Sequence, residues 1–150
     1  IYGGRAITTG DNPMRPVVTV EARIIRIRDA AAGTPVGYGA METLKRDSRL
    51  AILSAGYADG YIRAAGSTDE RPGAAVTING QRAPVVGRVS MDLLAVDITE
   101  LKENSVKTGD YAELLGSQFT IDDLADRAGT IGYEVLTNLG RRFQHVVKDD

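Results

Sequence analysis

Four short motifs hold most of the residues in this chain that are able to do chemistry. Gly37-Tyr38-Gly39 comes first, then Gly56-Tyr57-Ala58-Asp59-Gly60, then Gly87-Arg88-Val89-Ser90-Met91-Asp92, and last Thr130-Ile131-Gly132-Tyr133-Glu134. Glycines beside a tyrosine let the backbone bend and let a ligand come close. A phenol, with an ordinary pKa of about 10, becomes a base only where a neighbour favours the phenolate. Arg63, just beyond the second motif, is of a type that pairs with a carboxylate or phosphate. Arg88 and Asp92 sit in an otherwise apolar stretch, where a charge needs a partner: each other, or a group on another chain. No catalytic partner for the tyrosines is evident in the chain, so the motifs read as half of an active site. Plainer readings stand beside these. Tyr38 serves equally as an aromatic plug at a turn, Tyr133 as a strand aromatic, Asp59-Gly60 as a turn pair, Arg63 as a solvated charge and Met91 as core.

Other chemistries are absent from the pattern. There is no Gly-x-x-x-x-Gly-Lys-Thr loop, no Ser-His-Asp set and no carboxylate cluster with metal-ligand spacing. With no cysteine and one histidine, His145, no metal site is expected. His145 reads as a partly exposed residue near the end of a strand. A composition of 43% hydrophobic and 25% charged residues is that of an ordinary globular domain. The net charge of −2 and the 5% aromatic content speak against a nucleic-acid partner. No apolar run reaches the roughly 20 residues of a membrane span. The lack of cysteine suits a reducing cytosol, so a cytoplasmic location is expected. The chain opens on Ile1-Tyr2-Gly3-Gly4 with no signal-peptide pattern, which reads as a cut within a longer protein.

The elements that must position these motifs are mostly strands. Residues 1–15, rich in Gly, Thr, Asn and Pro, read as an irregular connector. Val18, Val20, Ala22 and Ile24 then alternate with Thr19, Glu21 and Arg23, the period of a half-buried strand. The phase slips at Ile25 and Ile27, as one extra residue in a β-bulge requires. Further strands are expected over residues 49–55, 74–78, 81–86, 89–98, 111–115 and 139–147. Asn79-Gly80 between two apolar runs predicts a type I′ hairpin. One short helix is expected near 121–128, capped by Thr120 with Asp123 three residues on. Ile121, Leu124, Ala125 and Ala128 form its apolar stripe, and Gly129 ends it. Many strands, one helix and many glycine turns point to a mainly β fold, a Greek-key-like closed or partly closed β-barrel.

Taken in order, the motifs resemble the C-terminal domain of alanine racemase, a pyridoxal-phosphate enzyme of the bacterial cell-wall pathway. Ile1-Tyr2-Gly3 resembles the end of that family's N-terminal barrel. Val36-Gly37-Tyr38-Gly39, Gly56-Tyr57-Ala58-Asp59-Gly60, Val86-Gly87-Arg88-Val89-Ser90-Met91-Asp92 and Thr130-Ile131-Gly132-Tyr133-Glu134 follow in the family's order. Each is weak alone; together they are specific and cover essentially the whole chain. The resemblance implies that residues 1–15 connect from an N-terminal (β/α)8 barrel and that 16–150 form the C-terminal β domain. It implies a head-to-tail homodimer in which each active site combines the barrel of one subunit with the β domain of the other. The cofactor would be pyridoxal 5'-phosphate, held by a lysine outside this chain.

The resemblance also implies roles. Tyr38 is the base facing the substrate Cα opposite the cofactor lysine. Racemisation needs two bases because one face must lose a proton and the other gain one. The Met91 backbone amide meets the substrate carboxylate, and Tyr133 hydrogen-bonds the cofactor phosphate. Tyr57, Arg63, Arg88 and Ile131 line the substrate entryway, with Asp92 in support. The activity implied is interconversion of L-alanine and D-alanine, supplying D-alanine for peptidoglycan, with the isolated fragment inactive. Rival readings are a racemase of the same fold acting on serine, lysine or arginine, and a non-catalytic β-barrel dimerisation module. Two departures stand out. Ala40-Met41-Glu42-Thr43 occupies the place where the family commonly has an aromatic residue, and Ser67-Thr68-Asp69-Glu70-Arg71-Pro72 looks like a lengthened loop.

Overall fold

The computed structural model describes residues 3–5 and 12–147. Alternation of apolar and polar residues builds the long strand β1 (Val20–Ala30), which buries Val20, Ala22 and Ile24 on one face. The phase slip in the sequence is a real bulge. Register against β4 (Ser48–Leu53) shifts between Ile24 and Arg26, leaving Ile25 exposed. The N-terminal half of β1 pairs with β8 (Tyr111–Leu115) and the C-terminal half with β4. One bulged strand thus turns the corner that closes the sheet. The remaining barrel strands are β5 (Ala75–Ile78), β6 (Gln81–Val86) and β7 (Leu94–Asp97), and the closed order is β1-β4-β7-β6-β5-β8. β4 lies beside β7 while the chain runs on from it to β5, the long return of a Greek key. Between β5 and β6, Asn79 and Gly80 both have positive φ, as a type I′ turn demands. A separate small hairpin, β2 (Pro35–Val36) and β3 (Glu42–Thr43), was not legible in the sequence.

Helix α1 (Ile121–Ala128) forms where expected. The Thr120 hydroxyl accepts from the Asp123 N–H, the Asp123 carboxylate accepts from the Thr120 N–H, and Gly129 closes the helix at φ 71°. Ile121, Leu124 and Ala125 enter the barrel core. Three expectations are corrected. Thr130-Ile131-Gly132-Tyr133-Glu134 opens a second helix, α2 (Gly132–Asn138), so Tyr133 is not a strand aromatic. A helix starting on glycine has poor propensity; α2 exists because Val135 is buried against the core and because it packs on α1. Residues 139–147 form no strand, and His145 lies exposed in an irregular segment. The barrel closes on itself through β1 and β8, so no edge remains for another strand to join. The expected strand over 89–98 shrinks to Leu94–Asp97, because a turn closed by the Ser90 N–H on the Leu93 carbonyl precedes it.

The core runs from β1 around the barrel and under both helices. Ile24, Leu53, Val76, Val96 and Leu114 are all fully buried in it. Leu53→Ala should cost about 2–5 kcal/mol of stability, read as a lower denaturant midpoint with an unchanged slope.

Candidate active site

Tyr38 stands on the loop between β2 and β3, and the hairpin lies along the outside of the barrel. Val36 and Leu44 from the hairpin region pack with Leu50 of β4 and Val86 of β6 in a second apolar cluster. This carries the loop to the segment that follows β6. There Gly37 and Gly87 meet backbone to backbone. A Cβ on Gly37 would fall 2.4 Å from the Arg88 nitrogen, and one on Gly87 would fall 2.7 Å from the Gly37 Cα. Both residues also hold positive φ, 77° and 75°. Only glycine meets both conditions. Tyr38 is thereby set beside the half-buried Arg88, with 68% of its own surface exposed.

The second and third motifs lock together in the same way. The Tyr57 N–H donates to the Ser90 carbonyl (3.1 Å) and the Ala58 N–H to the Met91 carbonyl (2.9 Å). Gly56 lies against that turn so closely that a Cβ would sit 2.3 Å from the Met91 oxygen. Met91 and Tyr57 stay exposed at 54% and 42%. Among the described residues no group accepts from the Met91 N–H.

Asp59 is the buried pin of this region. Its Oδ2 accepts from the Gly56 N–H (2.8 Å), and its Oδ1 is 3.1 Å from Arg142 Nε. Arg142 Nη1 is 2.9 Å from Asp92 Oδ1, so one guanidinium joins the Tyr57 loop to the Met91 turn. The hydrogen bond that Arg142 donates to Asp92, and then the charge of Asp59, hold Arg142 above its ordinary pKa. Asp92 therefore pairs with Arg142, not with Arg88 as its spacing allowed.

The fourth motif lies at a different place. Ile131 and Tyr133, both more than half exposed, line a groove of about 440 Å³ between α1 and α2 with Arg5, Asp122, Thr130 and Leu136. It is tied to the second motif through the far end of α2, where Gly60 abuts the Asn138 carbonyl and the Gly140 N–H donates to the Asp59 carbonyl (2.8 Å). Arg63 is exposed at the start of a short 3₁₀ turn that packs on α1. Tyr61 belongs to the core: it is 2% exposed, and burial pushes its phenol pKa up. No cluster of three or more metal-ligating side chains occurs among the described residues.

A family described as "Alanine racemase, C-terminal domain" matches residues 17–147. A biosynthetic alanine racemase of Agrobacterium fabrum is 49% identical across all of this chain, which spans 40% of that relative's length. The chain belongs to the alanine racemase C-terminal domain family. Among solved structures, the biosynthetic alanine racemase of Pseudomonas aeruginosa superposes with a TM-score of 0.83 at 38% identity, over 94% of this chain and 38% of that one. The Bartonella henselae alanine racemase, solved with covalently bound pyridoxal phosphate, gives 0.81 at 37% identity, over 91% and 37%.

Within this alanine racemase domain, sequence reasoning missed Glu42, Ser67 and Arg142. Arg142 lay in an expected strand, where its charge had no evident partner. Glu42 and Ser67 stood only as departures from the family pattern. The segment 67–72 is held down: Ser67 is 3% exposed, and Arg71 donates to the Arg127 carbonyl (2.6 Å) and the Gly66 carbonyl (2.8 Å).

Two outcomes follow from this geometry. Gly33 and Gly37 share φ near +80°, but a Cβ on Gly33 meets nothing within 4 Å. Gly33→Ala should cost only the left-handed strain of about 1–2 kcal/mol. Gly37→Ala should cost clearly more because the backbone of Arg88 must also move, and paired thermal melts read the difference. Among the described residues no group bonds the buried Tyr61 hydroxyl. Tyr61→Phe should therefore leave the melting temperature unchanged or raise it.

Proposed function

We propose that this domain works as part of an alanine racemase, with Tyr38 supplying one of the two bases that interconvert L-alanine and D-alanine. The observation that carries the reading is that the Tyr38 loop rests, through Gly37, on the same 87–92 segment that carries the Met91 turn. Tyr38 is exposed on a loop whose Gly37 lies against the Arg88 backbone, and among the described residues the Met91 N–H of that same segment has no acceptor. In this reading the Met91 N–H binds the substrate carboxylate, and Arg88, Arg63, Tyr57 and Ile131 line its approach. The arginines favour an anionic substrate. Asp92, through Arg142, keeps the Met91 turn in place.

The residues present fit a share of a pyridoxal 5'-phosphate site. Tyr133 offers an exposed hydroxyl beside Arg5, suited to a phosphate, and among the described residues no lysine lines that groove. Lys45, Lys102 and Lys107 are exposed elsewhere. The anchoring lysine is therefore assigned to the rest of the protein, as are the N-terminal barrel and the second subunit of a homodimer. Residues 1–15 are read as the connector from that barrel and 16–150 as this domain. When bound, the cofactor supplies the electron sink for the substrate carbanion. This chain's own work is to take the proton from the Cα of L-alanine at the Tyr38 oxygen, and to return one to the same face in the reverse direction. The second face belongs to the lysine. No helix among the described residues is long and apolar enough to cross a membrane. We assign the enzyme to the cytoplasm and its product to peptidoglycan synthesis, and we assign no activity to the isolated domain.

Tyr38→Phe in the full-length holoenzyme tests the reading, since it removes only the hydroxyl. Racemisation should fall by about 10²–10⁴-fold while cofactor absorbance persists. Near-normal turnover would make Tyr38 a packing aromatic.

A further inference from the structure

We propose that Glu42, acting with Ser67, is a positioning residue that holds Tyr38 at the substrate; this rests on the reading of Tyr38 as a base. The loop that carries Tyr38 has no apolar anchor of its own. Tyr38 and Met41 are 68% and 43% exposed, and Gly39 and Ala40 are exposed as well. Its placement is set at its two feet. One foot is Gly37, pressed on the backbone of Gly87. The other is Glu42, which faces Val36 across the hairpin.

Two donors converge on one oxygen of Glu42. The Gly87 N–H donates to Oε2 at 2.5 Å, and the Ser67 hydroxyl also bonds Oε2. Ser67 Oγ in turn lies 2.8 Å from the Gly87 nitrogen and 3.0 Å from the Val85 carbonyl oxygen. The segment after Ser67 flanks β3. The Asp69 N–H donates to the Met41 carbonyl (3.1 Å) and the Thr43 N–H to Asp69 Oδ1 (3.1 Å). A single carboxylate thus ties the foot of the Tyr38 loop to the turn that bears Arg88. Charge-assisted bonds of this kind are short and directional, and suited to holding a loop that packing does not hold. Ser67 and Asp69, both from the segment 67–72, supply this clamp.

The test uses the full-length holoenzyme with Glu42→Ala, Glu42→Gln and Ser67→Ala, and with Tyr38→Phe alongside. Enantiomers have equal free energy, so kcat/KM must fall equally in both directions. The informative readout is the α-deuterium isotope effect taken with each enantiomer. For Glu42→Ala, kcat/KM should fall about tenfold or more. The isotope effect should rise with deuterated L-alanine, whose proton Tyr38 removes, and fall toward one with deuterated D-alanine. Glu42→Gln keeps an acceptor for the Gly87 N–H and should stay within about threefold of wild type. Ser67→Ala should move both isotope effects in the same directions by less. If Glu42→Ala does not hold cofactor, the isotope effects of Ser67→Ala decide. Wild-type isotope effects in these variants, with or without a loss of rate, would overturn the proposal: a structural defect lowers the active fraction and leaves them unchanged. An active Tyr38→Phe would instead overturn the assignment of Tyr38 as the base.

Discussion

At several places in this domain two backbones touch with no side chain between them, and three of these contacts bear on the candidate site. Gly37 rests on Gly87, Gly56 on the Met91 turn and Gly60 on the end of α2. Of the residues proposed to face the substrate, Tyr38, Arg88, Tyr57 and Met91 all hang near the first two of these contacts. A single Cβ at any of the three would fall closer than 3 Å to another backbone. The chain there must either stay glycine or change shape. The apolar core fixes the barrel, but it leaves the loops at its end with their side chains in solvent. Close approach of main chain to main chain gives those loops fixed positions without burying the groups that need to stay exposed.

Carboxylates complete what the glycines begin. Asp59 and Glu42 each accept a backbone N–H, Gly56 within the same motif in one case and Gly87 across the fold in the other. A buried or half-buried carboxylate needs donors, and a loop amide needs an acceptor, so each pairing settles two demands at once. Arg142 extends the Asp59 pairing to Asp92. Half of its side chain faces water, so its strength lies in geometry more than in energy.

The tyrosines divide by environment. Tyr61 has the same flanking chemistry as its neighbours, yet it is sealed in the core, where burial keeps it a neutral phenol. Tyr38, Tyr57 and Tyr133 are exposed. Tyr111 is exposed as well, so the loop or groove around a ring, and not its exposure alone, marks a candidate surface. The groove beside Tyr133 and the loop at Tyr38 are two such surfaces, joined through the Asp59 region and α2 and through Arg71, which donates to the Arg127 carbonyl of α1.

Some of this was fixed by local sequence. The bulge at Ile25 follows from a phase slip that any half-buried strand must accommodate. The Asn79-Gly80 turn follows from positive φ at two successive residues, and α1 from a cap and a stripe within one short segment. The order of the motifs was enough to mark the family. Other features depended on neighbours that are distant in the chain. α2 forms on a poor helical sequence because α1 and the core receive it, and residues 139–147 form no strand because the barrel has no edge left. Asp92 finds Arg142, 50 positions further along the sequence, and Glu42 finds Gly87 and Ser67. Turns, caps and alternation are written in adjacent residues, whereas a partner across the fold exists only once the barrel has closed.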